Sequence, residues 1–105
     1  MSALRQEDLD DRRELRWPCW LSVTVRTTDL TKRPAALVEL SQRGCRLEMS
    51  TPSRAGDTLL LLINGMQPLS ATLVWNDGHY CGLSFQHPLH IAVVDHLVRQ
   101  NPARA

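Results

Sequence analysis

The sequence predicts an all-β protein, a small six-stranded antiparallel β-barrel with a C-terminal α-helix as its cap. Three observations lead there. Short apolar runs with alternating hydrophobicity recur from Trp17 to Phe85. Turn dipeptides separate them, with Asn64-Gly65 and Asp77-Gly78 the clearest hairpin signals. Helical spacing of apolar residues occurs only near the end of the chain. With 105 residues, 43% of them hydrophobic, the chain holds enough apolar material for one core and too little for two.

The elements follow in order. Residues 1–16, "MSALRQEDLDDRRELR", carry five acidic and four basic side chains among scattered apolar ones, so this segment buries little by itself and is expected to be a flexible arm. "WPCWLSVTVR" then begins a barrel expected to span residues 17–99. Leu21, Val23 and Val25 fall on one face, and Ser22, Thr24 and Arg26 on the other. "PAALVEL" (34–40) is a second strand, and "CRLEM" (45–49) a third with Cys45, Leu47 and Met49 inward. "PSRAGD" is turn chemistry before the buried strand "TLLLLI" (58–63), and "NGMQP" is another turn before "LSATLVW" (69–75). "HYCGLSF" (79–85) returns across Asn76-Asp77-Gly78, with Gly82 marking a bulge or a close approach. Six strands on short turns suggest closure into a barrel. Pro88 suits a first helical turn, Val93, Val94, Leu97 and Val98 form an apolar stripe, and Asn101-Pro102 ends it, leaving residues 100–105 as a tail.

Composition narrows the function. Twelve basic against eleven acidic residues give a formal charge of +1, too little to draw in a long polyanion, so an anion site would be local and long nucleic acid is not an expected partner. All the basic residues except Lys32 are arginine, which suits bidentate recognition of phosphate. The three cysteines, Cys19, Cys45 and Cys81, are widely spaced without a Cys-x-x-Cys pair, which fits reduced thiols and a cytoplasmic location better than a disulfide framework or a zinc site. The N-terminus is charged from Arg5 onward and the apolar run "LLLLI" is far too short to span a bilayer, so neither a signal peptide nor membrane insertion is expected. No metal or cofactor is expected: His87 and His90 have no third or fourth ligand of the right type, and read as exposed imidazoles at a helix start. Ser41 has no visible base or oxyanion motif beside it, so an enzyme is not expected either.

Two short motifs remain. Ser41 and Gly44 in "SQRG" suit the first and last positions of a type I turn. "RRELR" places Arg12, Arg13 and Arg16 just before the first strand, where they could equally be solvated or paired with neighbouring acids. In this order and spacing they resemble the PilZ domain family, whose signatures are R-x-x-x-R ahead of the first barrel strand and (D/N)-x-S-x-x-G between the second and third. Arg12 and Arg16 match the first, with Arg13 adjacent, and Ser41 and Gly44 match the second. The resemblance covers roughly residues 12–99. It implies a PilZ-like split barrel that receives cyclic di-GMP, changes conformation as the arm swings onto the barrel, and signals to an unidentified protein partner.

The resemblance implies ligand contacts from Arg12, Arg13, Arg16, Glu39, Ser41 and Gly44. The arginines would fork onto phosphate or guanine acceptors. Glu39 would accept from guanine N–H groups, Ser41 would hydrogen-bond a phosphate or base, and Gly44 would leave room for a flat ligand. Arg43, Arg46 and Trp17 are further possible contacts, although an outward arginine is more often only solubilising and strand tryptophans usually fill or roof the core. Glu39 departs from the family's Asp or Asn. Its extra methylene moves the carboxylate by more than ~1 Å, enough to misplace groups that hold a base edge. The main alternative is therefore a degenerate adaptor that no longer binds cyclic di-GMP. A third reading is a small barrel for single-stranded nucleic acid, which the near-zero charge disfavours.

Overall fold

The computed structural model describes residues 15–104. Six strands, β1 (Trp17–Arg26), β2 (Lys32–Leu40), β3 (Gly44–Glu48), β4 (Thr58–Leu62), β5 (Leu69–Asn76) and β6 (Tyr80–Phe85), precede one helix, α1 (Ile91–Gln100). All pairings are antiparallel, and the strands close into a barrel in the order β1-β2-β3-β6-β5-β4. The closing seam between β1 and β4 is short, running only over Thr24–Arg26 and Leu60–Leu62.

Alternation fills the interior. Val23 and Val25 of β1, Leu47 of β3, Leu59 and Leu61 of β4, Ala71 and Leu73 of β5, and Cys81, Leu83 and Phe85 of β6 are buried in one cluster. Leu37, Leu40, Leu47, Leu59, Leu61 and Leu73 are fully buried, each contributing roughly 1.5–3 kcal/mol relative to exposure. The Asp77-Gly78 turn works as its residues suggest. Gly78 takes a positive φ of 92°, and the Asp77 carboxylate accepts from the backbone N–H groups of His79 and Tyr80.

Of the two expected places for the tryptophans, filling the core or roofing it, the first does not hold, because none of them is buried in the core. Trp17 and Trp75 are exposed, and Trp20 is half-buried under the Arg104 guanidinium, 3.5 Å from its ring centroid. Leucines fill the barrel interior instead. The helix also begins later than Pro88 suggests. Leu89 must first reach the core, so the chain runs extended to His90, whose Nδ1 accepts from the Ala92 N–H as the N-cap. Val94 and Leu97 are then buried, with Val93 and Val98 packed beside them.

Candidate functional site

Three irregularities in the barrel coincide. Between Pro18 and Leu21 in β1, Leu37 and Glu39 in β2, and Leu73 and Trp75 in β5, one strand carries an extra residue and the register slips. Each slip re-aims the side chains beside it. All three flank a single transverse row, in which Pro18 pairs with Glu39, Glu39 with Arg46, Arg46 with Gly82, and Gly82 with Trp75.

Without the slips this row would be much less polar. Strict alternation from Leu37 would turn Glu39 toward the core, and from Leu73 it would do the same to Trp75. The extra residues Val38 and Val74 reverse both, so that Leu40 enters the core while Glu39 and Trp75 face outward.

Above the row lies a cleft of about 350 Å³, within the roughly 300–1,000 Å³ usual for small-molecule sites. Arg16, Glu39, Ser41, Gly44, Arg43 and Arg46 all line it, as do Val74 and Trp75. The lining brings three arginines and one glutamate around one opening. Arg46 also lies over the Tyr80 ring, 5.3 Å from its centroid. Glu39 is felt on the core side too. Burial first, and the Glu39 carboxylate second, together push the Cys19 thiol up to about 11.

The bend between β2 and β3 is built almost wholly from internal bonds. The Ser41 hydroxyl accepts from the N–H groups of Gly44 (3.1 Å) and Arg43 (3.3 Å) and donates to the Gly44 carbonyl (3.2 Å). The Ser41 N–H also donates to the Gly44 carbonyl. The hydroxyl thus takes the place of the main-chain carbonyl that closes a type I turn. Its one donor and both acceptor positions are engaged, and Ser41 is only 5% exposed. On either side, Phe85 N–H donates to the Arg43 carbonyl and Leu89 N–H to the Gln42 carbonyl, while Gln42 Nε2 donates to the Leu89 carbonyl. The bend is held between β6 and the segment leading into α1.

Gly44 has an equally local reason to be glycine. A Cβ there would lie 2.1 Å from the Leu83 carbonyl oxygen and 3.4 Å from Ser84 Cα, so β3 and β6 approach this closely only because the side chain is missing. Gly82 is the counterpart across the row. A Cβ on it would meet Trp75 Nε1 at 2.3 Å, because the indole lies directly across it. Trp75 is still 41% exposed, so one part of the ring rests on Gly82 while another faces solvent beside the cleft.

Of the residues singled out in the sequence, Arg16, Glu39, Ser41, Gly44, Arg43 and Arg46 come together. Trp17 is exposed at the start of β1 and does not line the cleft. Arg12 and Arg13 lie outside the described residues. Trp75 was missed, although counting across the Asp77-Gly78 turn would have placed it close to Gly82. Among the described residues no group of His, Cys, Asp or Glu could hold a metal ion, and no helix is long and apolar enough to cross a membrane.

No curated protein matches the chain significantly. The family model of the PilZ domain matches residues 10–100, nearly the whole chain and all of the barrel. A closed six-stranded barrel with a helix behind it, and a cleft over the E-x-S-x-x-G bend, are thus the form taken here by a member of the PilZ domain family, a family known for binding cyclic di-GMP.

Proposed function

We propose that the cleft receives cyclic di-GMP and that the bound domain signals to a protein partner through a changed surface. The observation that carries this reading is the shared row. One cleft gathers Arg16, Arg43, Arg46, Glu39 and the solvent-facing part of Trp75. Three cations against one carboxylate suit a ligand with two phosphodiester charges. Guanidinium groups fork onto phosphate oxygens or guanine acceptors, and the carboxylate accepts from guanine N–H groups. Trp75 offers a π-face for a base, an interaction worth about 1–3 kcal/mol per base. Arg12 and Arg13 would add further contacts from the arm. Hydrogen bonds to charged groups contribute about 1.5–3 kcal/mol each, against roughly 1–2 kcal/mol for each arm residue ordered, which leaves affinity in the micromolar range.

In this reading Ser41 and Gly44 act through shape. Ser41 fixes the bend that presents Arg43, and Gly44 lets β3 lie against β6. No bond is made or broken in the ligand, and the output is conformational.

A second reading, a PilZ adaptor without ligand, draws on Glu39 standing where the family usually has Asp or Asn. Titration calorimetry with cyclic di-GMP on wild type, Arg16→Ala and Glu39→Asp separates the two. The first reading expects saturable binding, a loss of tenfold or more for Arg16→Ala, and a several-fold gain for Glu39→Asp. Absence of heat for both wild type and Glu39→Asp above ~100 µM ligand, where even weak binding corresponds to roughly −5 to −6 kcal/mol, supports the adaptor.

A further inference from the structure

We propose that the tip of the β1–β2 hairpin is a docking knob, in which Leu30 enters an apolar socket on a protein partner and the cations around it meet carboxylates on the socket's rim. The proposal rests on the reading that the domain signals through a protein, and it names the surface and the partner's chemistry.

Three observations single out this tip. First, Leu30 has φ 68°, and it is the only described non-glycine residue with a positive φ. A bulky side chain in the left-handed region is an outlier, because Gly, Asn or Asp would make the same turn with less strain. Second, the turn uses the conformation, with the Leu30 N–H donating to the Thr27 carbonyl, but the leucine side chain brings the fold nothing in return, since Leu30 is 73% exposed, the most of any large apolar residue described. Single exposed apolar residues are ordinary, but one held in a strained turn and pointing into water is not.

Third, the surroundings are cationic and without close ion pairs. Arg26 and Lys32 pair in register at the strand ends, and Arg33 pairs with Val25 one step further in. None of the three makes an ion pair among the described residues. Arg33 Nε is buried without an acceptor, the only such side-chain atom among the described residues. The nearby carboxylate, Asp29, is engaged mainly within the turn, where it accepts from the Thr27 hydroxyl and the Thr31 N–H, and the Arg33 charge acts on it only weakly. A second tie, from Thr27 N–H to the Thr31 carbonyl, makes the knob rigid before any partner arrives.

A rigid knob with one apolar side chain fits a shaped protein pocket better than a lipid surface, where a single leucine buries too little to anchor a domain. The tip is also remote from the cleft. Eight residues of β1 separate Pro18 from Arg26, about 25 Å at the strand rise. Ligand and partner can therefore be bound together, and their binding can be measured separately.

The test uses the full chain in its native cell, with a photo-crosslinking residue in place of Thr28, the exposed neighbour of the knob, or in place of the exposed Gln67 in the β4–β5 connection as control. The expected result is a discrete protein adduct from position 28 and not from position 67. The captured protein, purified, then binds wild type at least tenfold more tightly than Leu30→Gly and several-fold more tightly than Arg33→Gln, with affinity falling as salt rises. Cyclic di-GMP binding by Leu30→Gly stays at the wild-type value, so failure at the knob and failure at the cleft remain distinct. Three outcomes would overturn the proposal: no adduct beyond the control, equal binding of that protein by Leu30→Gly, or Leu30-dependent sedimentation with phosphatidylglycerol vesicles, which assigns the knob to a membrane.

Discussion

Strand β2 is bounded by two tight bends, Thr27–Thr31 before it and Ser41–Gly44 after it, and they are closed by similar means. In the first, the Asp29 carboxylate accepts from the Thr27 hydroxyl and the Thr31 N–H. In the second, the Ser41 hydroxyl accepts from two N–H groups of its own bend. They differ at the position that bears the steric load. Gly44 sits where any side chain would strike the opposing backbone, and Leu30 sits at a positive φ where glycine would be easier. The comparison separates two kinds of conspicuous residue. One is dictated by the fold and lends its shape to a site. The other runs against local preference, which suggests that something other than folding maintains it.

The largest effect expected from this contrast is at Gly44. Gly44→Ala forces a Cβ onto the Leu83 carbonyl, a backbone group that cannot rotate away. The cost should lie toward the upper end of the ~1–3 kcal/mol usual for overpacking, a fall of roughly 10 °C or more in the thermal midpoint. A midpoint close to wild type, with ligand affinity lost, would mean that this glycine serves the ligand's approach.

Ser41→Ala should cost about 1–2 kcal/mol, since it leaves two N–H groups of the bend unpaired. Cyclic di-GMP affinity should stay within a few-fold of wild type. A tenfold loss at unchanged denaturant midpoint would show that the hydroxyl reaches the ligand and that its internal bonds are dispensable. At the other bend the sign reverses. Leu30→Gly should stabilise by about 1 kcal/mol, because relief of roughly 1–3 kcal/mol of strain exceeds the entropic cost of glycine. A destabilised variant would mean that Leu30 serves packing.

The smallest effect is the titration of Asp29. Its carboxyl is held down to about 2, first by the Thr27 hydroxyl and then by Thr31. A lowered acid stabilises the folded state above its ordinary value near 4, and that contribution disappears as pH falls from about 4 toward 2. Carboxyl-detected NMR should place Asp29 near 2 in wild type and higher in Thr27→Val. An ordinary value in wild type would show that the turn is not tied as described.

Much of this could be read in the sequence because the physics was local. Alternation and turn dipeptides marked all six strands, and Ser41 and Gly44 stood out as a bend before any ligand was considered. What could not be read was non-local. No run of residues announces that an extra Val38 or Val74 will reverse the face of Glu39 or Trp75. Sequence alone therefore leaves Trp75 among rings that fill or roof a core, while six leucines fill this one. Gly82 pointed to a close approach, but only the pairing of β5 with β6 identified the indole as its cause. Leu30 carried no local signal, since nothing in "TTDLT" sets leucine at a positive φ.

The central claim is that the row from Glu39 to Trp75 is where cyclic di-GMP rests, and the indole Nε1–H signals of the three tryptophans test it most directly. On titration with the dinucleotide, the Trp75 signal should move most and saturate, Trp20 beneath Arg104 should move least, and the response should weaken in Arg16→Ala. A Trp75 signal that stays in place while calorimetry records saturable binding would put the ligand elsewhere on the barrel and contradict the account.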